Sequence, residues 1–193
     1  MARTPTVVHQ HIIETASRLF YQEGIRNVGV DRVIAEAEVA KATLYRHFPT
    51  KEHLIAAYLE ARNERSLSNM NTAIASNNGT RHPVLVLFDN LAERGASSDF
   101  HGCAFMIAVS EQRDSALVRG VSQRHKSAVR ELFRGLLAND FEDPERLAHQ
   151  LAIIFDGALA SVLIEGAGHN IHHATDLAAT LLTVRRSHHG ADC

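Results

Sequence analysis

Between residues 6 and 23, Ile12, Ile13, Ala16, Leu19 and Phe20 recur at spacings of three and four, the period of a helix with one apolar face. Gly24 follows the last periodic residues and predicts the helix end. In VGVDRVIAEAEV, Val30, Val33, Ile34 and Ala37 share one side. Asp31 lies near the start of that segment, where a carboxylate suits the helix dipole, and the pattern predicts a helix of about two turns. After a break near Glu38 and Val39, KATLYRHF places Leu44 and Phe48 four apart. Pro49 stops this third short helix because the residue before a proline avoids helical geometry. Thr50 is placed to cap a long helix, carried by Leu54, Ala57, Tyr58 and Ala61 toward Ala75 and closed by Asn77, Asn78 and Gly79. Further helices are predicted over 83–95, 102–111, 115–138, 144–165 and 175–186. The fourth of these opens on Asp143-Pro144 and closes at Gly166 and Gly168. Strand signals are sparse, and only the short apolar run CAFMIAV reads equally as a buried strand. The expected fold class is all-α, with about nine helices.

Composition agrees with that class. Gly and Pro supply 11 and 4 of the 193 residues, below the roughly 12% of average usage, which disfavours a turn-rich β design. Cys103 and Cys193 cannot build a disulfide framework and suit a reducing compartment. No leader-like apolar stretch opens the chain, and no run reaches the roughly 18 consecutive apolar residues of a membrane helix. A cytoplasmic protein without a membrane partner is expected. Formal net charge is −2, so any nucleic-acid surface must be a local patch. A Gly-rich phosphate loop, a nucleophile elbow and a metalloprotease signature are all missing from the sequence. The expectation is therefore no enzyme, no catalytic residue and no cofactor.

Three short helices with a tight break between the second and third form the arrangement of a helix-turn-helix module, whose last helix enters the DNA major groove. Such a module needs apolar residues to lock its helices, and Val33, Val39, Leu44 and Phe48 suit that task. It also needs donors facing outward to phosphates and base edges, and Lys41, Thr43, Tyr45, Arg46 and His47 suit that one, with Lys51 adding a cation. Residues 1–55 hold seven Lys and Arg against six Asp and Glu. With a surplus of only one, the field at the docking face has to come from the cluster Lys41, Arg46, His47 and Lys51.

The stretch ETASRLFYQEGIRNVGVDRVIAEAEVAKATLYRHFPTKEHL resembles the N-terminal DNA-binding domain of the TetR family of bacterial transcriptional regulators. Its most specific pieces are LF-x-x-x-G and TLYRHFPTKEHL. The resemblance implies a homodimer of small reading domains and larger ligand-binding domains, here 1–50 and 51–187, with 188–193 as a flexible tail. It implies base-edge contacts for Lys41, Ala42, Thr43 and Arg46, and phosphate contacts for Tyr45, His47 and Lys51. It further implies a palindromic double-stranded operator, repression as the default output, and release by a small-molecule effector. The chain departs from the family pattern at Glu38, where a turn glycine is usual, at Ile34, where alanine is common, and at Ala40, where a Ser or Thr cap is frequent. If the turn keeps a positive φ at position 38, a non-glycine residue costs about 1–2 kcal/mol there.

For the larger region, Phe88, Cys103, Phe105, Met106, His125 and Phe155 are candidates to line an apolar effector pocket between helices, with His125 and Asp156 as orienting groups. Gly157, Ala158, Ala160 and Ser161 allow close approach of another helix. Together with Leu177, Leu181, Leu182 and Val184 they would form the half of a four-helix dimer interface that the resemblance implies. The alternative input is metal or redox chemistry at His169, His172, His173, His188, His189 and Cys193, or at Cys103. No paired-cysteine motif supports a zinc site, so none is assigned.

Overall fold

The computed structural model describes residues 5–138, 140–165 and 171–184. Among them the chain is helical, with α1 (Pro5–Glu23), α2 (Val30–Ala37), α3 (Lys41–His47), α4 (Lys51–Ala75), α5 (Pro83–Gly95), α6 (Ala104–Glu111), α7 (Ala116–Leu137), α8 (Pro144–Glu165) and α9 (Ile171–Val184). The apolar run CAFMIAV is therefore helical from Ala104 onward. Gly102 stays outside α6 because its φ is +81°, and a Cβ there would lie 3.1 Å from Leu163 Cβ and 3.2 Å from the Leu159 carbonyl. Helix α9 begins four residues before the predicted 175, since Ile171 is fully buried and its carbonyl accepts from Thr175 Oγ1 at 3.1 Å. The predicted end at 186, the glycines at 166 and 168 and the expected tail lie outside the described residues.

The chain divides into two compact units. The first comprises 1–66 and 104–125, and the second 67–103 and 126–193. An expected boundary at residue 50 thus falls inside the first unit, which also takes α4 as far as Ser66, all of α6 and the start of α7. In that unit α1 packs on α2 and α2 on α3. Ile12, Ala16, Leu19, Phe20, Val33, Ala37, Leu44 and Leu54 are buried, and each large aliphatic removed from water contributes about 1.5–3 kcal/mol. In the second unit α9 packs against α5 and α8. Phe88, Phe133 and Phe155 meet there with ring centroids 5.3–6.2 Å apart.

Local signals explain the boundaries. Gly24 closes α1 at φ +87°, donating its N–H to Phe20. Thr50 Oγ1 accepts the His53 N–H at the start of α4, and Asp143 Oδ1 accepts the Arg146 N–H at the start of α8.

Candidate nucleic-acid interface

The turn between α2 and α3 is built on Glu38 in the left-handed conformation, φ 51° and ψ 43°, the single non-glycine residue at positive φ among those described. Its N–H reaches the Ala35 carbonyl, and the Val39 N–H reaches that of Ile34, both at 3.3 Å. The turn thus takes the left-handed conformation without a glycine, and the strain is held by closing the last carbonyls of α2. Glu38→Gly removes the Cβ penalty but gives the unfolded chain more freedom, leaving a net gain of about 1 kcal/mol. The expected result is a thermal midpoint higher by about 2–4 °C. An unchanged or lower midpoint would show the turn to be unstrained.

Neither short helix has a side-chain cap: Gly29 precedes α2 and Ala40 precedes α3. What fixes them is apolar burial, with Val33 and Ala37 on α2 and Leu44 and Phe48 at or next to α3 all buried. Val39 is half-buried. Two histidines of α1 add to this lock. The Ala37 carbonyl lies 3.1 Å from His11 Nε2, and the His9 ring stacks on Phe48 at 4.8 Å.

With Leu44 and Phe48 turned inward, α3 exposes Lys41, Ala42, Tyr45 and Arg46, while Thr43 is half-buried. Lys41 pairs with Asp31 on α2 at 3.1 Å, both side chains well exposed. That hydrogen bond holds the Lys41 ammonium above its ordinary pKa. Arg46 makes no ion pair among the described residues. His47 is the expected phosphate contact at the end of α3. It is half-buried, its ring meets His9 edge-on at 5.6 Å, and its Nε2 is buried without a hydrogen-bond partner. Burial, and then His47, lower the His9 pKa from its ordinary value.

Lys51 is likewise drawn into the fold. Its Nζ donates to the Ile25 carbonyl at 2.6 Å and lies 5.9 Å from the centre of the Phe20 ring. Burial pushes its pKa down, opposed by Glu111. Glu111, at the end of α6, holds the same loop: its carboxylate accepts the Arg26 N–H at 2.8 Å and its carbonyl accepts from Arg26 Nε at 3.1 Å. Sequence reasoning missed Glu111, because no local pattern joins residues 85 positions apart.

The seven candidate effector residues fall into separate groups. Phe88 and Phe155 share the aromatic cluster of the second unit with Phe133, a member the sequence reading did not single out. Cys103 is buried. Asp156 is ion-paired with Lys126. In the first unit Phe105 lies flat on His125, centroids 3.7 Å apart, and His125 Nδ1 is 2.8 Å from Asn63 Oδ1. Met106 is exposed. A polar groove of about 640 Å³ between the end of α4 and α5, bordered by Asn69, Asn77, Arg81, Asp89 and Asn90, includes none of the seven. Of the candidate metal ligands, His172 and His173 are exposed on α9, and no group of three or more potential ligands occurs among the described residues. His169, His188, His189 and Cys193 lie outside the described residues.

Residues 12–58 match the model for bacterial regulatory proteins of the tetR family. Across the whole fold the chain is similar to the crystal structure of a TetR-family transcriptional regulator from Streptomyces coelicolor. The TM-score is 0.83 and the identity 30%, covering 92% of this chain and 95% of that one. The transcriptional regulator AcuR of Cereibacter sphaeroides is 27% identical over 88% of this chain and 83% of its own length. The multidrug binding protein EbrR, solved in complex with malachite green, shares the fold with a TM-score of 0.71 and 24% identity, over 90% of this chain and 96% of that one. A helix-turn-helix whose third helix presents its polar side outward, joined to a helical remainder that follows these regulators nearly end to end, makes the chain a member of the TetR family of bacterial transcriptional regulators.

Proposed function

We propose that the protein is a repressor that grips a palindromic operator as a homodimer through α3 and is released by a small, largely apolar effector. The reading head is residues 1–50, and residues 51–187 serve effector binding and pairing. The observation that carries the proposal is the sidedness of α3, where Leu44 and Phe48 are buried beneath an exposed row of Lys41, Ala42, Tyr45 and Arg46. Lys41, Ala42, Thr43 and Arg46 read base edges, while Tyr45 fixes register on phosphates. Lys51 and His47 stay as phosphate contacts of a second rank, since Lys51 Nζ donates to the Ile25 carbonyl and His47 Nε2 is buried.

Support for a homodimer comes from α8 and α9. Ile153, Leu163, Ile164, Leu177 and Val184 are large apolar residues left exposed. Helix α8 is apolar enough by composition to cross a membrane, yet only 33% of its most apolar window is buried within the chain. Exposed apolar helix faces of this kind mark interaction surfaces. A twofold partner covers them and sets two copies of α3 about 34 Å apart or somewhat more, one turn of DNA.

The effector acts through α4, which contributes to both compact units and is separated from α3 only by Phe48, Pro49 and Thr50. An effector that binds more tightly to a conformer with displaced α4 empties the operator, whereas one with equal affinity for both conformers shifts nothing. The aromatic interior around Phe88 and Phe155 is its proposed seat. The test is selection of fragments of the native genome on the purified dimer. Enrichment of an inverted repeat is the expected result, and failure to enrich any sequence over bulk DNA would remove the proposal.

A further inference from the structure

The helix-turn-helix segment neutralises most of its own cations. Residues 5–55 carry six Lys and Arg against six Asp and Glu. Arg18 and Arg32 share Glu36 at 2.8 and 3.0 Å, with Arg32 also 3.7 Å from Glu23. These two hydrogen bonds lower the Glu36 pKa. Arg26 is tied to Glu111, Lys51 to the Ile25 carbonyl and Lys41 to Asp31. Among residues 5–55, Arg46 alone has no such attachment.

Most of these contacts join α1 to α2 or brace a loop. The Lys41–Asp31 pair differs. Its side chains are 65% and 82% exposed, so water screens their attraction and the pair adds little to folding. Asp31 in the first turn of α2 is already favoured by the helix dipole without a partner. Its carboxylate nevertheless stands beside the first residue of α3, at the outward edge of the helix-turn-helix.

We infer that Asp31 is a specificity-determining residue: its carboxylate cancels Lys41 toward the phosphate backbone and so suppresses attachment to DNA of the wrong sequence. The inference rests on the operator-binding reading above. Its physical basis is the difference between the two surfaces of DNA. Phosphate offers only acceptors and full negative charge, so a neighbouring carboxylate is repelled by it. Base edges in the major groove carry partial charges and include the exocyclic amine of cytosine, to which a carboxylate can be an acceptor. The penalty from Asp31 therefore falls mainly on sequence-independent binding, whose strength follows the number of phosphates neutralised.

Asp31→Asn keeps the shape and removes the charge. It is measured in the full-length dimer against a genomic fragment recovered by selection and a scrambled duplex of equal length, between 50 and 200 mM salt. On the scrambled duplex, affinity is expected to rise at least about fivefold near 0.1 M salt and the log–log salt slope to steepen by about one per subunit. Operator affinity rises less, so the ratio of the two affinities falls. Adding Lys41→Met to Asp31→Asn should abolish the gain. Equal gains on both duplexes, no gain on either, or a gain that survives Lys41→Met would each overturn the inference. If the unmodified protein prefers no fragment over the scrambled duplex, the operator-binding reading falls and takes this inference with it. A selective unmodified protein with an unresponsive Asp31→Asn removes this inference alone.

Discussion

Gly157→Arg is expected to convert the protein to a monomer and to lower operator affinity by about 10²–10⁴-fold, the range lost when two linked binding events become one. Gly157 is exposed on α8, and a Cβ built on it meets nothing within 4 Å. Within the chain the substitution therefore costs no packing. It should gain a few tenths to about 1 kcal/mol, because glycine is a poor interior helix residue. In the proposed dimer the same position lies on the apolar face with Ile153, Ala160 and Ile164, spaced four, three and four residues apart, where a partner helix comes closest. A long cation there holds the helices apart and is left desolvated if they close. Sedimentation or light scattering at micromolar concentration reads the oligomeric state, and helical circular dichroism shows that the chain still folds. Gly157→Ala is the control and should remain dimeric. A dimeric Gly157→Arg protein with unchanged operator affinity would place the partner surface elsewhere.

The asymmetry between what Gly157 does inside the chain and what it would do in the proposed dimer reflects what sequence pattern can reveal. Helices α1 to α3 were readable because their apolar residues repeat locally and their ends are marked by Gly24, Pro49 and Thr50. Helix α9 was read four residues short. His172 and His173 interrupt the apolar period, and only the packing of Ile171 carries the helix back past them. Gly102 was included in α6 because its role depends on Leu159 and Leu163 of α8, about sixty residues away. The outward side of α3 was legible in kind, since Leu44 and Phe48 fix which way the helix turns. The charge bookkeeping around it was legible only in part. Arg32 and Glu36 are four apart on one helix, whereas Arg18 with Glu36, and Lys41 with Asp31, depend on how separate helices lie together. Lys51 looked like a surface cation because its partner is a main-chain carbonyl, which leaves no mark in the side-chain pattern.

That bookkeeping sharpens the expectation for Arg46. Lys41 must leave Asp31 to engage DNA, but Arg46 is exposed and without an ion pair among the described residues, so its guanidinium is redeployed at little cost. A bidentate contact to the O6 and N7 of guanine contributes about 1–3 kcal/mol of discrimination per half-site. Arg46→Ala in the proposed twofold dimer should therefore weaken operator binding by about 30-fold at least and about 2 × 10⁴-fold at most, taking the two half-sites as additive. Binding to a scrambled duplex should fall far less, by the salt-dependent share of a single phosphate neutralised per subunit. Arg46→Lys should restore the scrambled-duplex affinity but not the operator affinity, because an ammonium supplies the charge without the planar fork. The measurement is a pair of equilibrium titrations at one fixed salt concentration, on the selected fragment and on its scrambled counterpart. Equal losses on both duplexes, fully rescued by lysine, would mean that Arg46 touches phosphate only. Base reading would then rest on Lys41 and Ala42. In that case Lys41→Met should reduce the preference for the selected fragment more than Arg46→Ala does.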